Sequence, residues 1–274
     1  MVSIVIPSRN NEERIGRTLA AFFAQNRRDF EVVSCDDHSI DRTCAILDYY
    51  PEVRKITMPE GQHLPGELLN RAVSEARGDI VVINHADVCP LDADYLHNLV
   101  TPLEKNSSLS AVFACQESSS DSPLPLRCDI ARKFAVPQPA FSLCSAAIRR
   151  DVALDLPFST ELPLAFSLEW ATRLEQAKGK IAYVPEARVE YSPNISWLNL
   201  WKFFRLLGEC RTRVTGEKLH IRSVLSKIAI DSRADLRLAK LWRNFSALPG
   251  LLVWRIVEHY AYYCGNRAAQ KGVI

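Results

Sequence analysis

Over the first ninety residues the apolar positions come in short unbroken runs, and each run ends in a polar cluster. Val2 to Ile6 is closed by Pro7, Phe30 to Cys35 leads into Asp36 and Asp37, and Val53 to Met58 forms a third run. The fourth, Asp79 to Ile83, delivers Asn84, His85, Ala86 and Asp87 before Pro90 closes the turn. Continuous apolar and β-branched runs of this length predict strands buried on both faces, as in a parallel sheet. Between them the period changes. Ile15, Leu19, Phe22 and Phe23 predict an amphipathic helix over residues 11 to 26, with Asn10 and Asn11 as capping oxygens and Glu12 and Glu13 in its first turn. Ser39 predicts the cap of a second helix reaching Tyr50. Pro65-Gly66 opens a third, which ends at Arg77-Gly78. The order is βαβαβαβ, and each crossover is long enough for a right-handed parallel unit.

Open α/β sheets collect ligands at the carboxyl edge of their strands. Asp87 stands there beside His85 and Asn84, either as a metal or phosphate site or as the N-cap of the turn that follows. Asp36 and Asp37 are in the same position after the second run, either accepting an N–H from a ligand or capping a helix. The turns exclude the commonest nucleotide folds. No G-x-G-x-x-G follows the first strand and no G-x-x-x-x-G-K is present.

Six segments, in order, carry a resemblance: VSIVIPSRNNEERIGRTLAAFFAQ, FEVVSCDDHSIDRT, GDIVVINHADVCP, IRRDVALDLPFSTELP, WATRLEQAKGKIAYVPEARVEY and the aromatic stretch after it. Together they resemble the family 2 glycosyltransferases over at least residues 2 to 210. The resemblance implies a GT-A fold, a Rossmann-like, mainly parallel α/β sheet flanked by helices, over residues 1–196, with a helical C-terminal extension over 197–274. It also implies inverting transfer of a sugar from a nucleoside diphosphate to a lipid-linked or cell-surface glycan, usually with Mg²⁺ or Mn²⁺. Pro7, Arg9 and Asn10 match the loop flanking the nucleobase, and Asp37, beside Asp36, matches the acid that holds the base. Gly66, Asn70, Asn84, His85 and Ala86 fall at further donor positions. Asp87 matches the last acid of the family's D-x-D, which binds the metal.

The chain departs from that pattern in three places. His85 replaces the first acid of the D-x-D, and an imidazole is a poor ligand for Mg²⁺ and a better one for Mn²⁺; the alternative is a structural histidine at the strand edge. Phe166-Ser167 replaces the acidic pair whose second member is the general base, and a serine hydroxyl takes no proton unaided at neutral pH. Glu169 and Glu161 are the acids left to fill the role, although a step of two residues is about 200° around a helix. Tyr191 and Pro193 stand where many relatives carry histidine. These departures leave a second reading open, a catalytically silent relative that binds a nucleotide sugar or scaffolds a partner.

Charge adds one feature. The whole chain carries +2, yet residues 197–274 hold fourteen Lys or Arg against five Asp or Glu. Trp197, Leu200, Trp201, Phe204 and Leu207 make an apolar stripe there, and a second aromatic run from Trp242 to Tyr263 includes Phe245, Arg243 and Arg255 and is broken at Pro249-Gly250. This predicts either helices lying on an anionic membrane surface or a cap packed on the sheet or on a second copy in a homodimer. No nucleic-acid motif accompanies the basic tail. Residues 116–140, rich in Ser and Pro, read as a long irregular loop on the acceptor side, with Arg127, Arg132 and Lys133 as surface charge or phosphate contacts. Eight cysteines without metal spacing, a first strand beginning at Val2 and no long uncharged apolar window predict a cytoplasmic protein, peripheral on the membrane's inner face.

Overall fold

The computed structural model describes residues 1–191, 195, 197–242 and 248–272; Pro193, Arg243 and Phe245 lie outside the described residues. The chain divides into two compact units, Met1–Glu117 with Phe134–Ser192, and Ser118–Lys133 with Pro193–Ile274.

In the first unit the strands are β1 (Val2–Ser8), β2 (Phe30–Asp36), β3 (Val53–Thr57), β4 (Ile80–Asn84), β5 (Val88–Pro90), β6 (Ala111–Ser118), β7 (Ser145–Arg149) and β8 (Ile181–Tyr191), in the order β3-β2-β1-β4-β7-β6-β8-β5. The first four strands run parallel as expected, with β1 between β2 and β4. The other half is antiparallel, pairing β4 with β7, β7 with β6, and β5 with β8. Pro7 continues β1 rather than ending it, opposite Cys35. Ser8 turns its carbonyl to the Asp37 N–H on the β2 side, so Pro7 faces the β4 side. That ladder has already stopped at Val5↔Ile83, and the missing N–H of proline loses nothing there.

Alternation on the buried strands separates two cores. Val2, Ile4, Ile6, Ile80 and Val82 pack with Ile15, Leu19 and Phe22 of α1 (Ile15–Phe23) and Leu96, Leu99 and Leu103 of α4 (Tyr95–Lys105). Val5, Val33, Val81 and Ile83 pack on the opposite face with Leu68, Leu69 and Val73 of α3 (Pro65–Glu75) and Trp170 and Leu174 of α7 (Phe166–Gln176). Helix α1 starts four residues later than expected, with no side-chain cap. The expected caps are used elsewhere. Asn10 Oδ1 accepts the Ile40 N–H (2.9 Å) and Glu12 Oε2 the Arg42 N–H (2.9 Å), while Ser39 Oγ accepts the Asn10 N–H (2.9 Å) ahead of α2 (Thr43–Asp48). The loops after β1 and β2 therefore hold each other, because exposed backbone N–H groups take the nearest side-chain oxygen. The short α6 (Arg150–Asp155) follows β7.

The second unit contains α5 (Leu124–Phe134), α8 (Leu200–Thr215), α9 (Ile221–Leu241) and α10 (Leu248–Gln270). Helix α5 occupies the centre of the stretch read as an irregular loop, its one proline, Pro125, tolerated because it falls in the first turn. Leu126, Leu200, Phe204, Trp254 and Ala261 form one core cluster and Leu124, Cys128, Ala239 and Leu251 another. Backbones of α8 and α10 touch. A Cβ on Gly208 would lie 2.1 Å from the Tyr262 carbonyl, and one on Gly265 1.9 Å from that of Arg205. Leu200 and Phe204 of the apolar stripe, and Trp254 of the second aromatic run, thus face inward.

Arg255 is fully buried. It donates to Asp235 Oδ2 (2.6 Å), to both oxygens of Asp129 (2.8 and 2.9 Å) and to Glu258 Oε2 (2.6 Å). Arg132 joins the same network through Asp129 and Asp235, which replaces the reading of Arg132 as free charge. Arg127 lies over the Trp242 ring at 4.8 Å. Burial pushes the Glu258 carboxyl up to about 7, against the pull of Arg255. Among the described residues no helix is long and apolar enough to cross a membrane.

Candidate functional site

Strands β2 and β4 flank β1, so the chain leaving their carboxyl ends converges over one edge of the sheet. A cleft of ≈ 370 Å³ opens there in the first unit. Pro7 comes from the end of β1, Arg9 from the loop after it, Asp37 from after β2, His63 from after β3, and His85, Ala86 and Asp87 from after β4. Pro163, Leu164 and Phe166 form another wall. Between Leu164 and Phe166 the chain passes through Ala165 at φ 61°, a left-handed conformation that costs a non-glycine residue about 1–2 kcal/mol.

Asp37 is buried and held at both oxygens. Arg9 Nη1 donates to Oδ2 at 2.7 Å, and His63 Nδ1 stands 2.8 Å from Oδ1. His63 is a site residue the sequence reading missed. It sits in an irregular turn after Gly61 without periodicity, and its only signal is a polar side chain in the third loop at the carboxyl edge.

Asp87 lines this cleft and also an adjoining pocket of ≈ 240 Å³ with Arg14, Arg17 and Glu190. Burial raises the pKa of the Asp87 carboxyl, with His85 and Arg14 opposing. For His85 burial disfavours the charge, but the contact with Cys144 and the Asp87 carboxylate outweigh it and lift the ring to about 9. For Tyr191, in the place of a family histidine, desolvation, with Cys144 and Asp87 adding to it, holds the phenol well above the ordinary value. Among the described residues no three His, Cys, Asp or Glu side chains converge as a metal site.

The remaining sequence candidates do not line the cleft. Asp36 accepts from Ser8 Oγ (3.0 Å) and from the Ser39 N–H (2.9 Å), tying the two loops. Gly66 meets the backbone of Ser159, where a Cβ would be 1.9 Å from the carbonyl. Asn70 bridges the N–H and C=O of Phe158 (2.8 and 2.9 Å). Asn84 donates to the Val88 carbonyl (2.7 Å) and accepts from Ser145 Oγ (3.0 Å). Each serves the backbone because a buried polar side chain takes the partners it is folded against. Asn10 is engaged with Ile40. Glu169 grips Arg173 with both oxygens, and Glu161 is exposed on its loop.

The sequence profile described as glycosyl transferase family 2 matches residues 3–150, which takes in every strand from β1 to β7 and both carboxylates of the cleft. The chain belongs to glycosyltransferase family 2. Its fold is the GT-A type, and solved structures agree with it. A mannosyltransferase, PcManGT from Pyrobaculum calidifontis, in complex with GDP-Man and Mn²⁺, is 19% identical over 100% of this chain and 88% of its own, with a TM-score of 0.65. S. aureus TarS 1-349 is 14% identical over 99% of this chain and 91% of its own, at 0.57. Glucosyl-3-phosphoglycerate synthase from Mycobacterium tuberculosis, in complex with Mn²⁺, UDP-glucose and phosphoglyceric acid, is 19% identical over 79% of each chain, at 0.60. No curated protein sequence matches the chain.

Proposed function

We propose that this family 2 glycosyltransferase takes its sugar from a nucleoside diphosphate and passes it, with inversion, to a hydroxyl of a lipid-linked or cell-surface glycan. One observation carries the reading. Asp37 and Asp87 follow parallel strands on either side of β1 and open into a single cleft. In this reading the nucleobase lies against Arg9, Asp37 and His63, and the diphosphate reaches toward Asp87. The bound donors and Mn²⁺ of the mannosyltransferase and the phosphoglycerate synthase support it.

A divalent cation fits the donor set on simple grounds. Asp87 would supply one hard oxygen, and substrate and water oxygens would supply the others that a hard cation needs. When bound it supplies positive charge for the leaving diphosphate. The protein's own groups do the rest. Arg9 and His63 hold the Asp37 carboxylate oriented, and His85 lines the cleft beside Asp87. Leu164 and Phe166 exclude water from the opposite wall. Deprotonation of the acceptor falls to Glu169 or Glu161.

Thermal melting with UDP-, GDP- and dTDP-sugars, each with and without Mn²⁺, tests the donor reading. A donor at about a hundred times its Kd stabilises the fold by about 2.7 kcal/mol. No rise in Tm with any of them overturns it. His63→Ala is expected to weaken binding of the responding nucleoside diphosphate about 3- to 10-fold, the value of one hydrogen-bonded contact; unchanged affinity in calorimetry removes His63 from the site.

The bidentate Glu169–Arg173 pair favours a second reading, a donor-binding relative without turnover. Glu169→Gln and Glu161→Gln separate the two. Loss of a positioned base lowers the rate about 10²- to 10⁴-fold, so one of them should abolish transfer while donor binding survives. A wild type that binds donor but transfers to no acceptor, and gains activity with Ser167→Asp, establishes the second reading.

A further inference from the structure

The outer face of α9 is built differently from every surface used above. Its only two carboxylates, Asp231 and Asp235, both point inward. Asp235 pairs with Arg255 and Arg132, and Asp231 with Lys227 at 3.1 Å and His259 at 2.9 Å. The charges left on the outward positions are therefore all cations. Arg222, Arg233 and Lys240 are about three turns and then about two turns apart, which places them on one line down the helix, with Arg237 about 60° aside. All four are exposed, and none is in an ion pair among the described residues. Leu225 and Leu236 border this ridge on one side and Ile230 on the other, exposed by 60%, 48% and 58%.

We propose that this face of α9 adsorbs to an anionic lipid surface, the four cations meeting lipid phosphates while Leu225, Leu236 and Ile230 enter the headgroup boundary. Charge complementarity singles out that occupant. A second copy docked face to face would set four cations against four cations, a repulsion with no carboxylate to relieve it. A nucleic acid would satisfy the charges but has no use for three exposed aliphatic side chains beside them. An anionic bilayer accepts both at once, and adsorption of this kind grows with apolar burial and with charge together. The inference stands on the second unit alone and does not depend on the donor reading. It also differs from a membrane contact through residues 242–264, because α10 turns Leu251, Trp254, Arg255 and Ala261 into the core.

Surface substitution is accordingly the test, since truncation would remove α10 from that core. Vesicles of phosphatidylcholine alone and of phosphatidylcholine with phosphatidylglycerol in equal parts are sedimented with the full chain. Wild type should pellet with the anionic vesicles and less so in high salt. The triple variant R222E/R233E/R237E should lower the partition coefficient at least about a hundred-fold, at roughly fivefold per cation removed near the surface. L225S/L236S, whose charge is unchanged, should lower it too. Wild-type protein that stays in the supernatant, or a triple variant that partitions like wild type, overturns the proposal. So does a wild-type dimer in ultracentrifugation that the triple variant disperses, or RNA binding, without vesicle binding. Circular dichroism melts confirm that each variant folds, and nucleoside diphosphate affinity read on the same samples separates a failure here from a failure of the donor reading.

Discussion

Asp87→Asn should lower glycosyl transfer about 10²- to 10³-fold and leave the fold intact, which is the usual effect of removing one preorganised group that answers charge at the leaving end of a reaction. Of the two carboxylates in the cleft, Asp37 is already held by Arg9 and His63, whereas Asp87 has no ion-pair partner among the described residues. Its oxygens are the ones left to take a hard cation. The amide keeps the volume of the side chain and loses the charge, so the effect is not one of packing. The readout besides turnover is the affinity of the responding nucleoside diphosphate by calorimetry, with and without Mn²⁺. Wild type should gain affinity with the metal and the variant should not, while their metal-free affinities agree. Equal metal gains in both would take Asp87 out of the site.

The largest effect on stability should come from Arg255→Met. The side chain is fully buried and so is its partner Asp235, while Asp129 and Glu258 complete its shell. Replacing the cation with an apolar side chain of similar length leaves Asp235 charged in an apolar interior with only Arg132 opposite. Breaking a buried pair from one side in this way costs about 3–5 kcal/mol. Denaturant unfolding measures it, and the helical unit should show the loss as a lowered midpoint. The double variant R255M/D235N should recover part of it, because the orphaned charge is gone; additive losses would mean that the two groups are not coupled.

The half of the sheet that carries the cleft was legible because parallel strands buried on both faces leave continuous apolar runs, and the residues leaving them are polar. Asp37 and Asp87 come together for that reason. Asn84, Asn70 and Asp36 show the limit of the same logic. A polar residue at a strand end looks alike whether it faces a ligand or a backbone carbonyl, and only the fold decides. Helix α5 was hidden by composition, since a run of serines and prolines ahead of Leu124 reads as loop although proline is harmless in a first turn. In the sequence Arg255 is one cation of a basic, aromatic run. Nothing near it in sequence announces that its partner Asp129 lies 126 residues earlier. The apolar stripe of α8 and α10 was visible, but periodicity does not say whether a stripe meets lipid or protein.

That separation matters while the protein is being made. Residues 118–133 belong to a unit whose other helices all come after residue 193. At roughly 5–20 residues per second of synthesis, Asp129 waits about 6–25 s for Arg255 to leave the ribosome. Until α8, α9 and α10 have followed, Leu124, Leu126 and Cys128 lack part of the helical surface that will cover them. The nascent chain thus carries a sticky, half-finished segment, and α10, made well after it, is the helix that closes it.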